Sequence, residues 1–399
     1  MKLIEFKEFN KDTIVQAINK KKVAITICVA IVLIIALTFI LLYVYNKDFR
    51  RWADVNVLMK IVTEGTLSSI EIDKDENMSI FAYDKYVAII NGNKLDIYNS
   101  SAKKVTSTDI NVNKPIFSSN GKYLVIGDKG KQKIYLISGT KILWETNIDG
   151  IVSRVSVNES GYVSVVCTGS TYKSIICVYN TSGKQLFKTY IPNNTVVDST
   201  ISSDNKYLSF AEINTNKNTI ESTIKTISVK DASNGSEDTT LNTYSFPTNS
   251  LIVNIKYQGS KNLLCMCENA IYSISDGNME QLMSFNDDEK KYQFAGVNLT
   301  NAIYEIEEFS DGISNQCSNI KIINTATKKQ HAYSIDGIAK ETSSSDDNIA
   351  INLGTEIYFI NSKGWLIKQY KASQEVKNVL VSDRLAAIIF RDKIEILIL

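Results

Sequence analysis

The sequence predicts an all-β fold, a β-propeller of short four-stranded blades, preceded by one membrane-spanning helix. Three observations carry this expectation. A module with three strand signals is written twice in succession between Ile116 and Ile191, as IFSSNGKYLVIGDKGKQKIYLISGTKILWETNI and VSVNESGYVSVVCTGSTYKSIICVYNTSGKQLFKTYI. Related phrases recur along the chain at intervals of about 40 residues, the period of propeller blades. Upstream of them, Val23–Val44 runs 22 residues without a charge.

Within the module, a polar turn leads to a Gly or Asn, an aromatic and an apolar run. A hairpin loop, a second apolar run, an Asn-x-Ser/Thr-Gly-like turn and a third run follow. The residues that open the second run of each unit are Tyr86, Tyr123, Tyr162, Tyr207, Leu263, Ile303, Ile349 and Ala386. Their spacings are 37, 39, 45, 56, 40, 46 and 37. Polar insertions at 214–223 and 232–243 both fall in the 56-residue step that follows Tyr207. Pro115, Pro192 and Pro247 each stand just upstream of a unit, where no ladder N–H is lost. Eight blades are expected. Seven is the alternative, with the weakest unit (Tyr257–Gly277) absorbed into its neighbours. The last unit ends within its third strand, KIEILIL, so the stretch Val55–Ile72 is expected to donate the missing strand and remove a sheet edge.

The apolar run is long enough as a helix to cross a hydrocarbon core about 30 Å thick. Lys20, Lys21 and Lys22 abut it, with Lys2, Lys7 and Lys11 further upstream; Lys47, Arg50 and Arg51 follow it. This bias favours a cytoplasmic N-terminus, and Tyr43, Tyr45, Phe49 and Trp52 suit the outer interface. A cleaved signal peptide would carry a shorter apolar run and a small-residue cleavage site. The expected organisation is a short cytoplasmic basic segment (1–22), a transmembrane signal-anchor helix (23–45), a tether (46–66) and an extracytoplasmic propeller (67–399). The first partner implied is thus the lipid bilayer, through residues 23–45.

Net charge is +1 over 399 residues. Residues 1–54 carry +4 and the remainder −3. A slightly acidic main domain argues against nucleic acid, whose backbone demands clustered cations.

The blade pattern is similar to quinoprotein-like and WD40-like propeller repeats. The turn-Gly-Lys-x-x-aromatic phrase of quinoprotein blades is approximated by TSGKQLF (Thr181–Phe187) and more loosely by SGTKILW (Ser138–Trp144). Trp365, directly after Gly364, is out of register with Trp144, and no Gly-His…Trp-Asp pair of the WD40 kind occurs. The overall layout resembles that of single-pass membrane propeller proteins of clostridia and related bacteria. The resemblance implies the fold; quinone binding and dehydrogenase activity do not carry over.

Chemistry-bearing residues are sparse. His331 is the only histidine, which excludes multi-histidine metal sites; in TKKQHAYSI it reads as a surface residue. Cys28 lies in the apolar span. Cys167 and Cys177 flank a hairpin symmetrically about Tyr172, so a disulfide between facing strands competes with buried, reduced thiols. Cys265 and Cys267 share a strand face, and Cys317 is alone. Asp73-Lys-Asp75-Glu-Asn77 begins like a calcium loop, but Met78 replaces the turn glycine. Asp287, Asp288 and Glu289, and Glu305, Glu307 and Glu308, are acidic patches whose pairing the sequence leaves open. No phosphate-binding loop and no nucleophile elbow is present. No catalytic, cofactor or metal residues are therefore assigned and no cofactor is expected. The central channel is expected to be lined by first strands such as Val152–Val157, where Arg154 is an unusual charge. The function expected is a protein-interaction or ligand-binding scaffold in the cell envelope, its partners envelope or membrane proteins. The alternative is an enzyme processing envelope carbohydrate or peptide on a propeller face.

Overall fold

The computed structural model of the chain describes residues 20–73, 78–216, 219–285, 291–310 and 316–399. The chain divides into two compact units, residues 1–60 and 61–399.

In the first unit, helix α1 (Lys20–Tyr45) presents apolar side chains on every face, as a helix does when its whole circumference avoids water. Asn46 ends it and caps α2 (Lys47–Asn56) by accepting the Phe49 N–H at 2.9 Å. Tyr43, Asp54 and Lys60 then knot the two helices together. The Tyr43 hydroxyl donates to Asp54 Oδ1 at 2.6 Å, and Lys60 Nζ reaches the same carboxylate at 2.7 Å.

The second unit is an eight-bladed propeller. Two N-terminal strands, β1 (Ile61–Thr63) and β2 (Ser68–Glu71), come first. Eight antiparallel sheets, blades 1 to 8, follow in chain order. Their inner strands are Met78–Tyr83, Pro115–Asn120, Ile151–Val157, Thr195–Ile201, Ile252–Gln258, Lys291–Gly296, Glu341–Ser345 and Asn378–Val381. Each residue marked in the sequence stands within one position of the start of a second strand. The unit around Tyr257–Gly277 is a complete blade of its own, Ile252–Ser284, so the seven-bladed alternative falls. The insertion after Tyr207 contains a short helix, α3 (Val229–Ser233), between the third and fourth strands of blade 4.

Period-2 alternation along the strands buries a slab of apolar side chains between each pair of neighbouring blades. Blades 2 and 3, for example, enclose Val125, Leu136, Val155 and Val165; blades 6 and 7 enclose Tyr304, Ile320, Ile349 and Ile351. The core is thus a ring of separate interfaces, and each blade depends on both neighbours. Side chains in the turns reinforce the ring. Asn158 Nδ2 donates to the Ser202 carbonyl in the next blade at 2.8 Å, Asn348 Nδ2 to that of Ser382 at 3.1 Å, and the Ser382 hydroxyl to that of Asp84 at 2.6 Å.

The ring closes with β2, which pairs antiparallel with the last strand of blade 8 (Ser68 opposite Ile396, Ile70 opposite Ile394). This is the donation expected from Val55–Ile72. The same segment does more than the sequence suggested. In the stretch read as a tether, α2 is helical, and β1 adds a fifth strand to blade 7, parallel to Leu366–Lys371. Between β1 and β2, Glu64 accepts hydrogen bonds from Ser373 N (2.8 Å), Ser373 Oγ (2.6 Å) and Gln374 Nε2 (2.9 Å), and pairs with Lys393 at 2.8 Å. Gly65 N donates to Glu395 Oε1 at 2.9 Å.

The Asn-x-Ser/Thr-Gly-like phrases form Asx turns. Asn99, Asn180, Asn324 and Asn361 each accept backbone N–H bonds from residues two to four positions on. Three residues after the asparagine, the backbone turns left-handed at Ala102 (φ 57°), Gly183 (φ 83°) and Gly364 (φ 72°). Gly183 serves a second purpose. The Trp144 ring of blade 2 lies flat against it, so that an added Cβ would stand 2.8 Å from the indole. Trp144 Nε1 donates to the Thr181 carbonyl at 3.1 Å. Trp144 is thus docked on the glycine of the next blade's TSGKQLF turn. At the junction of blades 6 and 7 the equivalent place on Gly364 is taken by His331, whose Cβ would lie 3.1 Å from an added Cβ. The sole histidine is therefore a half-buried packing residue between blades, not a solvated surface one, because it faces a bare glycine from the second position of its strand, Gln330–Asp336.

Two predictions follow from these contacts. Ala102→Gly should raise stability by about 0.5–1 kcal/mol, by relieving a left-handed alanine. Gly183→Ala should lower it by roughly 2–3 kcal/mol through backbone strain and the indole clash. Denaturant unfolding of both variants checks the opposite signs. Glu64 carries the second. Partial burial would raise its carboxyl, but the bonds from Lys393, Ser373 and Gln374 outweigh that and hold it at about 2. A depressed folded value stabilises above the unfolded one, 4.5, and the contribution is lost as pH falls towards about 2. Acid titration should show Glu64→Gln less stable than wild type at neutral pH, the gap narrowing over that window.

Candidate functional site

The inner strands leave one ladder edge of every blade facing the axis, around a cavity of about 530 Å³ to which all eight blades contribute. Such edges expose unpaired N–H and C=O groups. Side chains of the preceding blade satisfy several of them. Ser118 Oγ accepts from Val157 N at 3.3 Å, Ser343 Oγ from Val381 N at 3.2 Å, and Asp198 Oδ2 from Ile255 N at 3.0 Å.

Strand pairing fixes which residues share a level of the channel. The residues one step before those opposite Leu124, Val163, Leu208, Leu263 and Ile349 are Ser118, Ser156, Thr200, Lys256 and Ser343. On blades 8 and 1 the same level carries Leu380 and Phe81. The side chains at this level are thus polar on blades 2 to 5 and 7 and apolar on blades 8 and 1, where Leu380 lines the cavity and Phe81 is buried behind the wall. Phe81 and Phe117 stand with ring centroids 4.3 Å apart, and Phe117 is 42% exposed although it belongs to an inner strand.

In blades 3 to 6 the inner strand carries a β-bulge near its start, between Val152 and Arg154, Val196 and Asp198, Ile252 and Asn254, and Tyr292 and Phe294. A bulge turns the following side chain out of strict alternation, and here it brings Arg154, Asp198 and Asn254 to the cavity wall. The bulges are not legible in the sequence, because an extra residue leaves no periodic mark over so short a strand.

Four charges besides Arg154 meet here. Asp198 is held by N–H donors on both oxygens, Ser199 N at 2.9 Å on Oδ1 and Ile255 N on Oδ2. Burial nevertheless pushes its carboxyl up to about 6, against the pull of those two N–H groups and of Arg154. Lys256 Nζ donates to the Asn298 carbonyl at 3.0 Å. Burial lowers its ammonium, and the fields of Asp346 and Glu159 counter that. Arg154 is where the sequence suggested, on the inner strand and lining the channel. Asp198 and Lys256 were missed there because each is one polar residue in an ordinary alternation.

The other candidates do not join this site. Cys167 and Cys177 are both buried in the core between blades 2 and 3. They are not directly opposite: Cys167 faces Ile175 and Cys177 faces Val165. The hairpin turns about Thr171 rather than Tyr172, which makes the thiols diagonal neighbours on one sheet face. They are free and share a hydrogen bond, which lowers Cys167 and, with burial, raises Cys177. Cys265 and Cys267 share a face as expected, with sulfurs 3.9 Å apart in the core of blades 4 and 5. Glu305 is buried and tied to Lys321 at 3.1 Å, while Glu308 pairs with Lys291; these carboxylates stand in ion pairs rather than as an acid pair. Residues 74–77 of the calcium-like loop and Asp287–Glu289 lie outside the described residues. Among the described residues, no cluster of three or more His, Cys, Asp or Glu is arranged to hold a metal ion.

The sequence profile of DUF5711, a family of unknown function, matches residues 62–399, and the chain belongs to that family. No curated protein matches its sequence. Among solved structures it is similar to the C-terminal WD40 domain of Sif2, at 12% identity and a TM-score of 0.54, over 83% of this chain and 98% of that one. It is also similar to the dihydro-heme d1 dehydrogenase NirN in complex with DHE (12%, TM-score 0.48, 83% and 72%). A third neighbour is the hydrazine synthase of Kuenenia stuttgartiensis (11%, TM-score 0.43, 84% and 98%). The Sif2 likeness shows the propeller fold alone, and the other two carry no argument.

Asp198 offers a direct check of the channel's electrostatics. A carboxyl whose folded value is raised binds its proton more tightly in the folded state, so its contribution to stability falls as pH rises from the unfolded 3.8 towards about 6 and is flat above. Difference titration of wild type against Asp198→Asn, by carboxyl carbon NMR and by unfolding midpoints, should place the step near 6. A midpoint near 4 would mean that water reaches the carboxylate freely.

Proposed function

We propose that this member of the DUF5711 family is a membrane-anchored propeller whose ring stands outside the cytoplasm as a recognition scaffold in the cell envelope. The observation that carries the reading is α1: 25 residues, Lys21–Tyr45, form one helix long and apolar enough to cross a membrane, and the same chain carries the propeller. Six lysines precede the span and three cations follow it closely, which favours an inside N-terminus and an outside ring. The aromatic cluster of Phe39, Phe49 and Trp52 suits the outer interface.

A propeller offers a channel and two loop-lined faces on a rigid frame, and such surfaces serve recognition. The partners proposed are envelope or membrane proteins reached by loops, and small ligands reached by the channel. The slightly acidic ring gives no footing to nucleic acid.

Two measurements test this. A phosphatase reporter fused after Leu399 should be active, as only an extracytoplasmic phosphatase is; an inactive reporter in a stably expressed fusion would overturn the orientation. In-cell crosslinking in native membranes should capture a small set of envelope proteins, lost when residues 61–399 are deleted and the anchor kept. Capture that persists without the ring would place recognition elsewhere.

A further inference from the structure

We propose that the central channel binds a small amphipathic monocarboxylate, with Arg154 as the partner of its carboxylate and the arc of blades 8, 1 and 2 as the bed for its apolar body. The inference rests on the reading that the ring serves recognition, and it specifies what the channel recognises.

Arg154 is exposed to the lumen and makes no hydrogen bond or ion pair with any described residue. A guanidinium carries five donors in a planar fork that matches a carboxylate two bonds at a time. Its nearby opposite charge, Asp198, acts on it through its field and shares no hydrogen bond with it. Both oxygens of Asp198 already accept backbone N–H bonds, from Ser199 and Ile255. The second cation of the channel is differently placed. Lys256 has a carbonyl acceptor in Asn298 and lies in the field of two acids, Asp346 and Glu159. One cation is thus matched from within the protein, and one waits for an anion.

The charge count sets the ligand's valence. Asp198, Glu159 and Asp346 all border the cavity or act on its cations. A phosphate monoester or dicarboxylate would meet their repulsion with only one uncommitted partner. A single carboxylate is matched by a single arginine. The arc of blades 8, 1 and 2, next to Arg154 on blade 3, supplies the rest of the specificity. Phe117 lines the cavity with 42% of its surface exposed, its ring tilted against that of Phe81 at 4.3 Å between centroids, and Leu380 lines the cavity as well. An aromatic ring held in a channel against water costs free energy that an apolar ligand body recovers by covering it. A cavity of about 530 Å³ is within the range of small-molecule sites.

The test uses the full chain in phosphatidylcholine nanodiscs and ligand-observed saturation-transfer NMR, with phenylacetate, indole-3-acetate and octanoate as probes. Each acid is compared with its neutral amide. At least one acid should bind about tenfold more tightly than its amide. Arg154→Gln should erase that difference, and Arg154→Lys should restore only part of it, because an ammonium lacks the fork. Phe117→Ala should weaken acid and amide alike. Arg384→Gln, a turn cation paired with Asp84 and Asp383, should change nothing. Equal binding of acids and amides, acid binding unaffected by Arg154→Gln, or no binding by any of the three acids would each overturn the proposal. Crosslinked partners captured without acid binding would leave the scaffold reading standing and remove this one; loss of both would remove both.

Discussion

A ring made of repeated blades has two ends, and everything else in this propeller depends on joining them. Unclosed, blade 8 would present the bare edge of its last strand, Lys393–Ile398, and blade 1 would lack one of the two neighbours that bury its faces. Pairing β2 with that strand removes the edge and places Ile70 in the slab between blades 8 and 1. Burying one such side chain stabilises by about 1.5–3 kcal/mol, too little to hold a ring alone. The polar staple completes the closure. Glu64 gathers donors from blades 7 and 8, while Glu395 takes the Gly65 N–H on one oxygen and the Tyr370 hydroxyl, at 2.8 Å, on the other. Neither acid is merely a surface charge, since Glu395 is 1% exposed. A buried carboxylate is tolerable only when its lone pairs are met, so the segment 61–71 must be in place for the outer part of blade 8 to be satisfied.

This explains what was legible in the sequence and what was not. The period was readable because each blade repeats one local solution: an aromatic or aliphatic entering the second strand, an asparagine folding the turn onto itself, a left-handed residue after it. Those are contacts within a few residues. The staple joins positions more than 300 apart, and no local pattern announces it; the proposal of a donor strand came from counting strands, and β1 lay beyond that count. The cysteines were half legible: both are buried, free thiols, one of the two readings open in the sequence, but they do not face each other. Symmetry about Tyr172 was a guess at the hairpin's centre, and a shift of one residue turned facing partners into diagonal ones.

At the channel the same logic gives a mixed result. Arg154 stood out because a charge interrupts apolar alternation. Lys256 sits in NIKYQ, where a lysine on a half-solvated strand is unremarkable, and only the ring of Ser118, Ser156, Thr200 and Ser343 gives it a setting. Asp198 is the instructive case. From sequence it is one acid in a polar strand. In the ring it caps the open edge of the next blade, and burial there pushes its carboxyl up to about 6.

Edge capping and ligand recognition therefore draw on one set of residues. An inner strand must leave its outer ladder side unpaired towards the axis, so side chains that satisfy those groups gather at the cavity wall as a condition of folding. Ser118, Ser343 and Asp198 are committed to that task. What remains after those obligations are met is a short remainder: the Arg154 fork and the Phe117 ring, neither needed by a neighbouring strand for a hydrogen bond. Arg154 eases the charge of the acid beside it through its field alone, and Phe117 keeps apolar surface open to the cavity, which costs stability. A ring built for closure alone would be served as well by a smaller residue at 117, and it has no hydrogen-bond use for the fork at 154. Their presence side by side, on the inner strands of adjacent blades 2 and 3, is the part of the fold that closure does not require.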